Sequence, residues 1–343
     1  MEACVVHGEK DLRVEDRPDP ILRDDGVLVR IAYGGICGSD LHYFLHGRNG
    51  DYVVREPLVL GHEVVGTIAT VGSAVEGVSV GTNVAIHPAT PCPPAGAVDG
   101  GQLNRYPDGS YFGSASTWPH PQGGFAMLVQ VRADQLRPLP DSLPLRRAAL
   151  AEPLAVGLHA VTQAGELTGK TVLVSGVGPI GALVIVALKH RGAGHVIAAD
   201  LARRALDVAQ AVGADSVIQI GQDAPPEPAS VDIVIEASGA VSALALAIET
   251  VKGGGTIVQL GMLPGGLIGV PISGLITREI TLKGTQRFDI ELDEAVRVLD
   301  ATPACDAVIS HEFSLDHAVE AFECAADSRV SSKVLLRISP AEN

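Results

Sequence analysis

A glycine-rich segment at residues 176–181 constrains the fold of this chain more than any other feature. It reads Gly-Val-Gly-Pro-Ile-Gly and directly follows the apolar run Thr171–Ser175. The spacing G-x-G-x-x-G, between a buried strand and a helix, is typical of a dinucleotide-binding turn. We expect Gly176 to form the tight turn, Gly178 to let the backbone approach a pyrophosphate, and Gly181 to let strand and helix pack closely.

The stretch between Lys170 and Arg287 alternates between short apolar runs and longer segments of helical character. We predict helices at 180–191, 202–212 and 241–251, and strands at 171–175, 195–199, 216–220, 231–236, 255–260 and 279–283. Strands that alternate with helices form a parallel, doubly wound sheet. Six strands fit the dinucleotide-binding version of that sheet, so the predicted fold class is α/β with a Rossmann domain.

The residues before and after this unit have a different pattern of apolar and turn-forming residues. The first 150 residues contain short Val- and Ile-rich runs interrupted by Gly, Pro and Asp, which is typical of strands and turns. After Arg287, two helix-like stretches and a final strand at 333–337 form a segment too small to fold alone. We therefore predict a mostly-β domain at 1–152 and 288–343, with the cofactor-binding domain inserted at 153–287.

Composition excludes several classes of partner. The formal net charge of −15 opposes binding to a nucleic-acid backbone, and no basic run offsets it locally. The longest apolar stretch, near 182–188, is far shorter than the roughly 20 residues of a membrane-spanning helix. The five cysteines have no regular spacing and follow no secretory signal. We therefore expect a cytoplasmic protein that contacts neither membrane nor nucleic acid.

Asp200 ends the second predicted strand of the cofactor-binding unit. A carboxylate there can accept hydrogen bonds from both hydroxyls of an adenosine ribose, and it would repel a 2′-phosphate. This favours NAD over NADP, although Arg203 and Arg204 are close enough in sequence to attract such a phosphate. The expected cofactor-binding residues are Gly176, Gly178, Pro179, Ile180, Gly181, Asp200 and Arg204.

Cys37, His62, Glu63 and Glu152 are candidate ligands of a single metal ion. Thiolate, imidazole and carboxylate all bind zinc, and three protein ligands with one exchangeable position form a catalytic site. Neighbours on a regular strand point to opposite faces. Either Glu63 bends in from a turn, or Glu152 binds the metal directly and Glu63 supports it from outside. The sequence leaves this choice open.

Together these features resemble the zinc-dependent medium-chain alcohol dehydrogenases over essentially the whole chain. The segment at 38–63, from Gly-Ser-Asp-Leu-His-Tyr to Leu-Gly-His-Glu, is similar to the polyol dehydrogenase branch, as is Ala-Glu-Pro-Leu-Ala-Val at 151–156. The resemblance implies a GroES-like mostly-β domain beside the Rossmann domain. It also implies one zinc held by Cys37, His62 and Glu63, with Glu152 holding the zinc-bound water or binding zinc directly.

The resemblance also implies a reaction, in which hydride passes between a secondary alcohol and NAD. Glu152, Ser39 and His42 would be the catalytic residues, the last two as a proton relay, while Tyr43 and Arg287 would contact the substrate. The resemblance implies oxidation of the sugar acid L-idonate to 5-keto-D-gluconate, and the carboxylate of that substrate calls for a cation or a group of donors in the site. Sorbitol or xylitol is the alternative substrate.

Family resemblance further implies a homodimer or homotetramer. Two alternatives to a zinc-dependent polyol dehydrogenase remain. One is a nucleotide-binding sensor without turnover, and the other is a zinc-free quinone reductase of the same fold.

A cysteine-rich loop that binds a second metal in many members of this family is incomplete here. The loop pattern C-x2-C-x2-C-x7-C begins at Cys92, but the remaining ligand positions are Ala95, Val98 and Tyr106. One thiolate does not close a tetrahedral zinc site. We therefore predict that the chain has no structural zinc.

Overall fold

The structure is a computed structural model that describes residues 1–92, 103–106 and 109–339. Ala95 and Val98, two positions of the incomplete metal loop, lie outside these residues. Cys92 is described and is an exposed free thiol. The absence of a structural zinc therefore stays a prediction.

The first part of the chain consists mainly of strands. These strands are β1 (Glu2–Gly8), β2 (Asp11–Asp16), β3 (Gly26–Gly35), β4 (Arg48–Asn49), β5 (Tyr52–Val53), β6 (Leu58–Val59), β7 (Glu63–Val71), β8 (Asn83–Ile86), β9 (Ala89–Thr90), β10 (Ser110–Tyr111), β11 (Leu128–Arg132) and β12 (Leu136–Pro138). Its helices are α1 (Gly38–His46), α2 (Leu145–Ala148) and α3 (Ala151–Ala164).

The second part continues with β13 (Thr171–Ser175), α4 (Pro179–His190), β14 (His195–Asp200), α5 (Arg203–Ala211), β15 (Ser216–Gln219), β16 (Val231–Glu236), α6 (Val241–Thr250), β17 (Val251–Gln259), α7 (Ser273–Thr277) and β18 (Thr281–Gly284). The chain ends with α8 (Leu292–Ala301), β19 (Ile309–Ser314), α9 (Ala318–Ala326) and β20 (Lys333–Arg337). Within the described ranges, no helix is long and apolar enough to cross a membrane.

A six-stranded parallel sheet forms the cofactor-binding part of the molecule, in the order β15-β14-β13-β16-β17-β18. Side chains alternate between its two faces. Val172 and Val174 of β13 join the core that contains α4, whereas Leu173 joins the opposite core with residues of α6. Burial on both faces explains why the central strand β13 is largely apolar. The predicted Rossmann domain is confirmed, and its strand order reverses between β13 and β16.

A second, mostly antiparallel sheet forms the GroES-like part, and β3 lies at its centre. Among the described residues its order is β12-β8-β7-β3-β20-β19, with β11 also paired to β3. Gly35 at the end of β3 is opposite Glu63 of β7 on one side and Leu335 of β20 on the other. The last strand of the chain therefore lies beside the strands that carry the candidate metal ligands.

Helices α3 and α8 lie at the expected domain limits and pack against the Rossmann domain. Leu154 and Leu158 of α3 and Leu299 of α8 share one core with Leu183 of α4. The structure thus contains the two predicted domain types, but their limits at 152–153 and 287–288 stay a prediction.

Candidate metal centre and cofactor site

Cys37, His62 and Glu63 come together where β3 ends and β7 begins, at one end of two central strands of the GroES-like sheet. One ligand atom of each lies within 4.8 Å of the other two. His62 and Glu63 are buried and Cys37 is half-buried. A thiolate, an imidazole and a carboxylate at this spacing are a ligand set that suits zinc.

Asp40 fixes the two backbone segments that carry these ligands. Its Oδ2 accepts a hydrogen bond from the Cys37 N–H at 3.0 Å, and its Oδ1 accepts one from the Gly61 N–H at 3.2 Å. The same Oδ1 lies 3.8 Å from Nδ1 of His62, which is beyond hydrogen-bonding distance. Asp40 therefore holds the start of α1 against the turn before β7, and this brings Cys37 next to His62.

Lys333 neutralises Glu63, although it belongs to none of the motifs that identified the other site residues. Its Nζ donates to both carboxylate oxygens of Glu63, at 2.7 and 2.6 Å, and to the carbonyl oxygen of Ile36 at 3.0 Å. The ion pair crosses β3 at Gly35, which has no side chain to block it. A Cβ at residue 35 would lie 2.1 Å from Oε2 of Glu63. A lone lysine at the start of the apolar strand β20 is the signal that could have revealed it.

Negative charge is in excess around the cluster. Burial alone would lower the pKa of His62, but the charges of Asp40, Cys37 and Glu152 outweigh it and raise that pKa to about 10. Burial raises the pKa of Glu152 above its usual value, and the charge of Glu63 raises it further. A bound divalent cation would offset this charge, so the residues present fit a metal ion.

Tyr111 connects Glu152 to Arg287. The Tyr111 hydroxyl donates to Oε1 of Glu152 at 2.5 Å, and its ring centroid lies 5.5 Å from that of His62. The guanidinium carbon of Arg287 lies 3.8 Å from the centroid of the same ring, a cation–π contact. Tyr111 and Arg287 also line one cavity of about 270 Å³. The Tyr111 ring thus contacts both the positively charged guanidinium of Arg287 and the imidazole of the candidate metal ligand His62.

Helix α1 places the three other expected site residues in different surroundings. Ser39 is half-buried in the first turn, whereas His42 is exposed with its ring 5.9 Å from that of His46. Tyr43 is buried, and its hydroxyl oxygen accepts a hydrogen bond from the Ala115 N–H at 2.9 Å. No hydrogen bond within the described ranges joins Ser39 to His42, so the proton relay stays a prediction, as does contact of Tyr43 with substrate.

The glycine turn at 176–181 has the geometry that a dinucleotide requires. Gly176 has φ +83°, and a Cβ on it would lie 2.6 Å from Cβ of Ser238. A Cβ on Gly181 would lie 2.0 Å from the carbonyl oxygen of Gly176, whereas the space around Gly178 is open. Gly178 is the N-cap of α4 and Pro179 its first residue, with Ile180 next. The open backbone at the positive end of this helix suits a pyrophosphate.

Asp200 and Arg204 lie at the far end of the same turn. Asp200 accepts hydrogen bonds from the N–H groups of Val177 and Ala202, both at 2.8 Å. It lines a cavity of about 150 Å³ together with Gly178 and Arg204. The expected adenosine end of the cofactor site is therefore a real concavity next to the glycine turn.

Comparison with known proteins gives consistent results along the chain. Residues 23–141 match the family described as "Alcohol dehydrogenase GroES-like domain", and residues 179–301 match the family described as "Zinc-binding dehydrogenase". L-idonate 5-dehydrogenase (NAD(P)(+)) of Escherichia coli (strain K12) is 37% identical over 344 residues, with 98% of each chain covered. Sorbitol dehydrogenase of Mus musculus is 37% identical over 348 residues, which cover 98% of this chain and 96% of that enzyme.

Similarity extends to solved structures. The crystal structure of L-idonate 5-dehydrogenase from Escherichia coli K-12 has a TM-score of 0.92 and 36% identity, with 98% of this chain and 97% of that chain covered. The fold, the cluster of Cys37, His62 and Glu63, and the similarity to these relatives all indicate the same family. The chain belongs to the zinc-binding medium-chain alcohol dehydrogenases, within the group that acts on polyols and sugar acids.

Proposed function

We propose that this enzyme transfers hydride between the secondary alcohol of a sugar acid and NAD, and that it oxidises L-idonate to 5-keto-D-gluconate. The observation that carries this proposal is the position of Arg287. Its guanidinium lies over Tyr111, and the Tyr111 hydroxyl bonds to Glu152 beside the metal ligands. A substrate with its alcohol at the metal centre could thus present a carboxylate to Arg287.

Cys37, His62 and Glu63 would hold one zinc ion per chain. When bound, zinc supplies Lewis-acid chemistry that lowers the pKa of an alcohol hydroxyl. Lys333 supplies the counter-charge to Glu63: burial opposes the charged form of the lysine, but the charge of Glu63 outweighs it and raises the lysine pKa. Of the two glutamates, Glu63 is the one whose oxygen lies within 4.8 Å of both other ligand atoms. This supports Glu63 as the third ligand.

Glu152 would then act next to the metal, at the position where the substrate oxygen enters. Tyr111 donates to one of its oxygens, so that this oxygen is held in place while the other is available to orient a hydroxyl. We assign Ser39 and His42 to the outward transfer of the proton. His42 is exposed, which allows it to release a proton to solvent.

NAD would bind along the carboxyl edge of the six-stranded sheet, with its pyrophosphate over Gly178. Bound there, it would supply the hydride acceptor. Asp200 is held by two backbone N–H groups next to the glycine turn, where a carboxylate can accept hydrogen bonds from ribose hydroxyls. This supports NAD as the principal cofactor.

A polyol such as sorbitol or xylitol is the second candidate substrate. The similarity to sorbitol dehydrogenase equals the similarity to L-idonate 5-dehydrogenase, at 37% identity. Polyols lack the carboxylate, so Arg287 would have no charged partner in such a complex. The two candidates therefore differ in one functional group.

The test is a steady-state comparison of L-idonate, sorbitol and xylitol with NAD, followed by absorbance of the reduced nicotinamide. We expect the highest kcat/KM for L-idonate. A kcat/KM for either polyol well above that for L-idonate would overturn the assignment of a sugar acid. Metal analysis on the same preparation should give one zinc per chain.

We also propose that the enzyme is a homodimer or homotetramer that associates through β18. This strand is the edge of the six-stranded sheet and all four of its residues are exposed. Large apolar side chains lie exposed on it and in the preceding segment, namely Leu282, Ile276, Ile272 and Leu267. An unpaired edge strand next to an exposed apolar surface favours association.

A further inference from the structure

Arg287 lies on a turn whose backbone conformation is uncommon. Its φ is +48°, in the left-handed region that residues other than glycine seldom adopt. Such a conformation persists only where surrounding contacts fix it. The φ of Arg287 depends on the orientation of the peptide unit formed by the Gln286 carbonyl and the Arg287 N–H. A contact that holds this peptide unit therefore also sets the direction in which the arginine side chain leaves the backbone.

Asn104 holds that peptide unit. Its Nδ2 donates a hydrogen bond of 2.6 Å to the carbonyl oxygen of Gln286 and lies 3.1 Å from Nε2 of His159. Asn104 and Gln286 are 182 positions apart in the sequence. Asn104 also lines the cavity that Tyr111 and Arg287 share. The bond therefore connects the segment before β10 to the backbone that carries Arg287.

His159 fixes the direction of the Asn104 amide. Its Nδ1 lies 2.8 Å from Oε1 of Glu291. An ionised carboxylate can only accept hydrogen bonds, so Nδ1 carries the proton and Nε2 is left as an acceptor. The NH₂ group of Asn104 thus faces two acceptors, Nε2 and the Gln286 carbonyl oxygen, and has one hydrogen for each. The reversed amide would place Oδ1 against that carbonyl oxygen, and two acceptors repel each other.

Glu291 holds the other end of the same turn. Its Oε2 accepts two backbone N–H groups, from Asp289 at 2.9 Å and from Ile290 at 3.1 Å, while its Oε1 faces His159. His159 is buried in α3. The turn is thus tied to α3 on both sides of Arg287.

We propose that Asn104 is a positioning residue for substrate specificity, whose bond to the preceding carbonyl holds Arg287 over Tyr111, where it can receive the carboxylate of a sugar acid. This inference rests on the proposed function, in which Arg287 binds that carboxylate. Asn104 acts through the backbone and needs no contact with substrate. Loss of its two N–H donors should release the peptide unit, so that Arg287 returns to an ordinary backbone conformation and its guanidinium leaves the ring.

Crystal structures of the wild type and of Asn104→Leu test the positioning without substrate. Leucine has nearly the shape of asparagine but no N–H donors, so the packing is kept and the hydrogen bonds are lost. In the variant we expect a negative φ at Arg287 and a guanidinium carbon more than about 6 Å from the Tyr111 centroid, outside a cation–π contact. A variant in which Arg287 still lies over Tyr111 would overturn the proposal.

Gln163→Ala is the matched control for these structures. The Nε2 of Gln163 lies 3.4 Å from the same nitrogen of His159. Within the described residues, however, no hydrogen bond joins the Gln163 side chain to the turn that carries Arg287. This variant should leave Arg287 over Tyr111. An equal displacement of Arg287 in Gln163→Ala would show that the imidazole surroundings, and not the bond from Asn104, hold the turn.

Steady-state kinetics test whether this position sets specificity. Asn104→Leu should raise KM for L-idonate and lower kcat/KM by roughly 3- to 10-fold, with a smaller effect on sorbitol, which lacks the carboxylate. In an Arg287→Ala background, adding Asn104→Leu should change kcat/KM for L-idonate by less than about twofold, because the group that it positions is gone. Full additivity of the two substitutions would overturn action through Arg287. If Arg287→Ala alone left kcat/KM for L-idonate unchanged, the sugar-acid function would fail, and the crystal structures would still decide whether Asn104 positions Arg287.

Discussion

Lys333 binds both carboxylate oxygens of Glu63, at 2.7 and 2.6 Å, and both side chains are buried. The lysine is the first residue of β20, the last strand described, and the glutamate is the first residue of β7, directly after His62. A buried carboxylate of this kind is stable only when it is paired or binds a metal. Glu63 is positioned both to pair with Lys333 and to bind a metal, so the metal and Lys333 would neutralise the same carboxylate.

Lys333→Met should destabilise the metal-free enzyme by about 3–5 kcal/mol, because Glu63 is left buried without a counter-ion. Zinc should recover part of this loss, since it can neutralise the same carboxylate. The measurement is the free energy of unfolding with and without zinc. The zinc-induced gain in stability should be larger in Lys333→Met than in the wild type.

A double-mutant cycle with Glu63→Gln provides the control for that prediction. In the Glu63→Gln background, Lys333→Met should change the effect of zinc very little. Equal zinc effects in the wild type and in Lys333→Met would show that Glu63 and the metal do not share a charge.

The variants Glu63→Gln and Glu152→Gln should distinguish a residue that binds zinc from a residue that acts in catalysis beside it. We expect Glu63→Gln to lose zinc on dialysis against a mild chelator, because a metal ligand is removed. Glu152→Gln should retain close to one zinc per chain and lose activity, by roughly 10²- to 10⁴-fold in kcat if it acts as an acid–base group. Metal analysis and kinetics on the same samples make the comparison, and the reverse order of zinc loss would make Glu152 the ligand.

Arg287→Ala should reduce kcat/KM for L-idonate by roughly 10- to 100-fold, because a charge-assisted contact with the carboxylate is lost. The effect on sorbitol should be much smaller. Arg137→Ala is the matched control: Arg137 lines the same cavity but is paired with Asp293 at 3.1 Å. A similar loss for both substrates in Arg287→Ala would assign this arginine to structure rather than to specificity.

Glu291 should make stability depend on pH in acid. Its Oε1 lies 2.8 Å from Nδ1 of His159 in α3, and its Oε2 accepts the N–H of Asp289 at 2.9 Å. Burial would raise the pKa of Glu291, but these contacts outweigh it and hold the pKa below its usual value. A lowered pKa in the folded state adds stability above the pKa of the unfolded chain, and that stability is lost as pH falls through the folded value.

The corresponding test compares Glu291→Gln with wild type between pH 7 and pH 3. The variant should be less stable by about 1–3 kcal/mol near neutrality, and the difference should shrink below a pH of about 4.3. Exposed Glu76→Gln should stay within about 0.5 kcal/mol of wild type throughout. A difference that grew as the pH fell would contradict the sign of this argument.

Leu282→Lys should weaken the proposed association through β18. It places a charge on an exposed edge strand, a substitution that opposes pairing between strands of two chains. Light scattering after size exclusion measures the mass. Ile21→Lys is the control, because Ile21 is 87% exposed between β2 and β3, which do not belong to the six-stranded sheet. A mass unchanged by Leu282→Lys but lowered by Ile21→Lys would move the interface elsewhere.

Local patterns in the sequence were sufficient for the Rossmann domain. The strands β13, β14 and β16 contain short apolar runs between turns, and the glycines at 176–181 require one particular backbone shape. The prediction was wrong only in detail: β17 begins at Val251 rather than at residue 255, because Gly253–Gly255 in its middle look like a turn. The helix α3 was not predicted either; Pro153 lies in its first turn, where proline is tolerated.

Contacts between residues far apart in the sequence could not be predicted from local patterns. Lys333 meets Glu63 because β20 and β7 both pair with β3, and Tyr111 of β10 meets Glu152 of α3 through packing of elements far apart in sequence. The sequence brought the candidate ligands to attention through their chemistry, but it did not choose between Glu63 and Glu152. That choice depends on which strand lies next to Gly35, and strand pairing over 270 residues leaves no local pattern.

The position of β20 between β3 and β19 has a consequence for biosynthesis. The GroES-like sheet is not complete until residues 333–337 have left the ribosome, although its first strands are made some 300 residues earlier. During that interval Glu63 has no lysine beside it. We therefore expect metal loading with native charge balance to be a late event, and a chain truncated before Lys333 would carry all four candidate ligands yet lack a finished site for them.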